Sequence, residues 1–104
     1  MRLLRDHFGN EVRLTDERAS HILEHPEMVG LESAIEETLR SPELVVESRI
    51  DATARLYYRL YIGTKVGDKH LCVVVKFAQD DAFVVTAYLT DQPKRGRVIW
   101  KAEP

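Results

Sequence analysis

The chain has a single cysteine, Cys72, in 104 residues. That excludes an internal disulfide and makes a reducing cytoplasm the expected compartment. It has no apolar run approaching the roughly eighteen residues that read as a membrane span, so no membrane is expected as a partner. The opening "MRLLRDHFGN" is charged too soon, and its apolar run is too short, for a secretory signal. Net charge is small: Lys and Arg total 15 against 17 Asp and Glu, or −2. The whole molecule is therefore no electrostatic magnet for phosphate, and a nucleic-acid reading must rest on local charge. There is no glycine-rich phosphate loop, internal repeat, linker or low-complexity stretch.

What is there suits one globular domain with one modest core: 44% hydrophobic and 31% charged residues. "MRLLRDHFGNEVRLT" reads as a short N-terminal hairpin turning at "FGN". Thr15 is a helix cap, with Asp16 and Glu17 suiting the positive end of the dipole. This predicts a helix to about His25, because Pro26 disfavours helical geometry in the residue before it. Leu31, Ile35 and Leu39 recur every four residues and predict a second helix over Leu31 to Arg40, broken by "SPEL".

The period then falls to two. "RLYYRLYI", "HLCVVVKF", "AFVVTAYLT" and "RVIWK" read as strands joined by short polar turns, hence as antiparallel neighbours. The expected fold is α+β, with two helices packed on one face of a four- to five-stranded antiparallel sheet. Taking Leu56, Leu60, Leu71, Val73, Val75, Phe83, Val85 and Leu89 as the core assigns the opposite face by parity. That face would carry Arg55, Tyr57, Arg59, Tyr61, His70, Cys72, Val74, Lys76, Val84, Thr86 and Tyr88. Cations interleaved with rings suit phosphates and bases. They equally suit a solvated sheet face with ordinary cross-strand pairs.

On the first helix, Ala19, Ile22 and Leu23 form the buried stripe, with Arg18 and His25 along its edge and His21 a little further round. The segment "HILEH" spells H-x-x-E-H, a zinc-peptidase signature. A catalytic zinc needs a third protein ligand as well, and only Glu36 and Glu37 are nearby acids in sequence. A helix end with solvated histidines is the plainer reading. Cys72 stands among valines as a small packing residue. No cofactor is implied and no metal ligand set is complete.

Together, "GNEVRLTDERASHILEHPEM", "LYYRLYI", "LCVVVKF", "FVVTAYLTD" and "GRVIW" resemble small phage- and cyanobacteria-associated proteins of the barnase–EndoU–colicin–RelE-like (BECR) nuclease superfamily. The resemblance covers about Gly9 to Trp100, and its most specific parts are "HILEHP" and "TAY". Ala19 stands where that family often has an aromatic, a departure that touches packing. The resemblance implies a single domain that cuts RNA without a metal, by attack of a ribose 2′-hydroxyl on the adjacent phosphate. It implies catalytic roles for His21 with Arg18 or His25, and for Thr86 and Tyr88. Strand parity adds Arg59 and Lys76 as substrate-binding cations, with His25 beside them. An RNA substrate, and an antitoxin or immunity protein as inhibitor, are the implied partners. The alternatives are an adaptor domain of the same fold without activity, and a histidine zinc-binding protein.

Overall fold

A computed structural model describes residues 1–103 of the chain. The elements are β1 (Arg2–Arg5), β2 (Glu11–Leu14), α1 (Asp16–Leu23), a 3-10 turn (Pro26–Met28) and α2 (Glu32–Arg40). They continue with β3 (Leu44–Glu47), β4 (Ala54–Thr64), β5 (Gly67–Ala78), β6 (Asp81–Thr90) and β7 (Arg97–Lys101). The strands form one seven-stranded sheet in the order β1-β2-β6-β5-β4-β3-β7. Every pairing is antiparallel except β2 with β6, which is parallel and meets at Arg13 opposite Phe83. The expected four- to five-stranded antiparallel sheet is thus corrected to a larger, mixed one. Two features account for the difference. The N-terminal hairpin joins the main sheet, fastened where the Arg13 guanidinium donates to both carboxylate oxygens of Asp81 at 2.9 and 2.7 Å. The "LVVE" segment forms β3, whose adjacent Val45 and Val46 are buried on opposite faces, so it shows no alternation to read.

Both helices form where expected, with shorter ends. The Thr15 side chain caps α1 by accepting from the Arg18 amide at 3.1 Å. The helix closes at Leu23, and His25 is extended (φ −78°, ψ 118°), as a residue before proline should be. α2 begins one residue later than expected, at Glu32. Ile22, Met28, Ile35 and Leu39 pack from this layer onto Leu71, Val73, Val75 and Ala87 of the sheet, with Leu4, Val12 and Leu14 of the hairpin. Complete burial of each such aliphatic side chain stabilises by about 1.5–3 kcal/mol. No helix among the described residues is long and apolar enough to cross a membrane.

The face assignment of β4 is reversed from the sequence reading. Tyr57 lies opposite Val73, and Arg59 opposite Leu71, so the Arg/Tyr set faces the helices. Leu56 and Tyr58 turn the other way and form a second cluster with Val46 and Cys72, flanked by Leu44, Val74 and Tyr88. Leu60 is 40% exposed. The tyrosines go inward because their hydroxyls find partners there. Tyr57 donates to Asp6 Oδ2 at 2.5 Å, and Asp6 also accepts from the Phe8 and Asn10 amides of the hairpin turn. Tyr61 donates to Glu37 at 2.6 Å and lies 3.2 Å from the Ala34 carbonyl.

The β6 expectation holds only beyond its bulge. The register shifts where Val74 pairs Thr86 but Val75 pairs Val84, leaving Val85 as the extra residue. Val84, not Phe83 or Val85, is therefore the buried valine beneath the helices.

Candidate functional site

The H-x-x-E-H spacing needs one continuous helix through both histidines, and Pro26 ends it too early. His21 and His25 are largely exposed, at 63% and 66%, and each faces its own carboxylate. His21 Nδ1 is 3.6 Å from Glu24, and His25 Nδ1 is 3.7 Å from Glu27. No three His, Cys, Asp or Glu side chains converge among the described residues. Arg18 is exposed on α1.

Thr86 and Tyr88 face the helix-free side, opposite Val74 and Cys72 respectively. Lys76 shares that face, opposite Phe83, and is held by Asp51 at 2.5 Å. The Lys76 ammonium, helped by Thr53, lowers the Asp51 carboxyl to about 2. Arg59 does not join them. It lies under the helix layer, where Nη1 donates to the Ser41 carbonyl at 2.7 Å and Nε sits 3.6 Å from Glu37. The expected single surface of Arg59, Lys76, Thr86 and Tyr88 is therefore split between two faces, because β4 has the opposite parity from the one assumed.

Two parts of the chain do meet, around the edge of β6. Since β2 pairs only with the start of β6, the far end of that strand has no neighbouring strand on this side. The 3-10 turn after α1 lies against it. A cleft of about 410 Å³ opens there, lined by Glu27 from the turn, Val66 and Lys69 from the β4–β5 hairpin, and Tyr88, Thr90 and Asp91 from β6 and its end. Lys69 ion-pairs with Asp91. Thus the "HPE" segment and the "TAY" strand share one cleft, with His25 set against its wall through Glu27. Sequence reasoning does not reach Glu27, Lys69, Thr90 and Asp91. Their only signal is adjacency to those two motifs.

Tyr88 is distinctive electrostatically. Its hydroxyl is the one buried side-chain polar atom among the described residues without a hydrogen-bond partner. Burial, with Cys72 and Tyr58 adjoining, holds the phenol far above its usual range. Such an atom is uncommon, because an unmet buried donor costs about 1–3 kcal/mol. Burial likewise pushes the Cys72 thiol up to about 11, so it is protonated near neutrality and is a poor nucleophile.

Comparison with family models, with characterised proteins and with solved structures found no match to this chain.

Proposed function

We propose that this domain is a metal-independent RNA endonuclease of the barnase–EndoU–colicin–RelE-like kind, acting at the β6-edge cleft. The observation that carries the reading is the lining of that cleft by both Glu27, beside His25, and Tyr88. The sequence resemblance implies His21 with Arg18 or His25, and Thr86 with Tyr88; of these, Tyr88 lines the cleft and His25 stands beside it through Glu27. In this reading His25, held by Glu27, accepts the proton of a ribose 2′-hydroxyl. The freed oxygen attacks the adjacent phosphorus, the bond to the 5′ oxygen breaks, and that oxygen takes a proton from solvent. The products are a 2′,3′-cyclic phosphate and a 5′-hydroxyl. Lys69 stabilises the charge on the phosphorane, and the Tyr88 hydroxyl, buried before RNA enters, turns outward to serve its oxygens, while Thr86 lies outside the cleft lining. A cytoplasmic location, and inhibition by an antitoxin or immunity partner, belong to the same proposal.

A second reading has its own observation: Arg59, Arg18 and His21 stand apart from the cleft. That dispersal favours an adaptor domain that binds through the fold without chemistry. Incubation of the purified protein with total RNA in EDTA separates the two. Cyclic-phosphate ends from the wild type, and a rate lower by about 10²–10⁴ in His25→Ala, are expected if the imidazole transfers the proton. Intact RNA at high protein concentration, or equal rates in His25→Ala, leaves the adaptor reading.

A further inference from the structure

A second cleft, of about 380 Å³, lies on the helix-free side of the sheet. Ser48, Arg49 and Ile50 from the β3–β4 connection, Leu56 of β4, and Lys94 and Arg95 from the β6–β7 connection line it. Ile50 is 97% exposed, an unusual position for a large aliphatic side chain, above a floor that includes the buried Leu56. The three cations are exposed, and none forms an ion pair among the described residues. Arg13, Lys69, Lys76 and Arg97 are by contrast each held by an acid, and the other cations without an acid partner, such as Arg18, Arg40 and Lys101, line no cleft together among the described residues. In a chain of net charge −2, three uncompensated cations around one cleft are a concentrated local field. The patch is also continuous with the first cleft. Lys94 Nζ stands 5.7 Å from the Tyr88 ring centroid, and Tyr88 is a wall of the β6-edge cleft.

We propose that this second cleft binds the phosphate backbone of single-stranded RNA flanking the bond to be cut, with Ile50 packing against a base. The inference rests on the nuclease reading for its choice of polymer. Guanidinium groups donate paired hydrogen bonds to phosphate oxygens, which favours Arg49 and Arg95 as phosphate ligands, with Lys94 as a point charge. An apolar side chain between the cations suits the face of a nucleobase better than the uniformly polar surface of an acidic peptide.

The test separates binding from cleavage. A labelled, fully 2′-O-methylated RNA of about twelve nucleotides, within the usual site size for single strands, has no attacking hydroxyl and cannot be cut. Its affinity is followed by fluorescence anisotropy against salt. The Arg49→Ala/Lys94→Ala/Arg95→Ala triple variant should bind at least about tenfold more weakly, with its log–log salt slope flatter by about two, as expected for three lost phosphate contacts. Arg95→Ala alone should show a smaller change of the same sign, and the exposed pair Arg40→Ala/Lys101→Ala should bind like the wild type. If the folded triple variant keeps wild-type affinity and salt slope, the inference is wrong. It is equally overturned if polyglutamate binds the wild type more tightly than the RNA does. Patch-dependent binding without any cleavage of ordinary RNA would uphold the inference while removing the nuclease reading.

Discussion

Under the helices, Tyr57 and Tyr61 bury their rings and deliver both hydroxyls to partners: Asp6, Glu37 and the Ala34 carbonyl. On the other face, Tyr58 accepts from the Lys94 amide at 3.0 Å, while Tyr88 has no partner. The covered face also holds its cations in place, with Arg59 on Ser41 and Glu37, and Arg55 over the rings of Phe8 and Phe77. The open face pairs Lys76 with Asp51 but leaves Arg49, Lys94 and Arg95 around its cleft without acids. The same residue types thus serve stability on one side and remain available for a ligand on the other. Satisfied polar groups hold a fold together, whereas unsatisfied ones mark where something can bind.

The contrast is broken most forcefully in the core. Leu71→Ala, at 0% exposure beneath the helices, should cost about 2–5 kcal/mol in denaturant unfolding. Leu60→Ala, on the open face at 40% exposure, should cost clearly less, about 1 kcal/mol, since it is only partly removed from water and leaves no closed cavity. Equal losses would mean that the two faces are buried alike.

The tyrosines sharpen it. Tyr57→Phe removes a buried donor to Asp6 Oδ2, leaving only the Asn10 side-chain amide on that oxygen, and should destabilise by about 1–3 kcal/mol. Tyr88→Phe removes a hydroxyl that has no partner, so its melting temperature should hold or rise. If the proposed site is right, RNA cleavage by that variant should nonetheless slow.

Cys72 probes how closed the second cluster is. With its thiol buried and pushed up to about 11, iodoacetamide should alkylate it slowly at pH 8 in the native protein and rapidly in urea. Fast native labelling would show that the β6–β7 connection opens readily over Tyr58.

The smallest effect is at the surface. Lys76 and Thr53 lower the Asp51 carboxyl from 3.8 to about 2. The carboxylate is the favoured form in the folded protein, so its contribution is present above pH 4 and is lost as pH falls through 2. Asp51→Asn should lower stability slightly above pH 4 and remove that acid-range dependence, so the two proteins converge as pH falls through 2, the effect being small because the pair is exposed.

Much of this architecture is legible in the sequence. Thr15, Pro26 and the spacing of Leu31, Ile35 and Leu39 act within a turn or two of helix, so both helices form nearly where these residues predict them. Period-two alternation locates β4, β5, β6 and β7 for the same reason: side-chain direction repeats along the backbone itself. Which of two alternating faces is covered is not a local property. On β4 the Arg/Tyr face reads as polar, but tyrosine is apolar over most of its surface, and Asp6, 51 residues away, supplies what its tip requires. A bulge reverses β6 after Val84, and β3 is hidden by burial on both sides. The candidate site follows the same division. Local order locates "HILEHP" and "TAY", while their meeting across the β6 edge, and the gathering of Arg49, Lys94 and Arg95 from two distant connections, depend on the sheet order. Helix caps and alternation are set by neighbours in the chain; faces, edges and clefts exist only once distant strands pair.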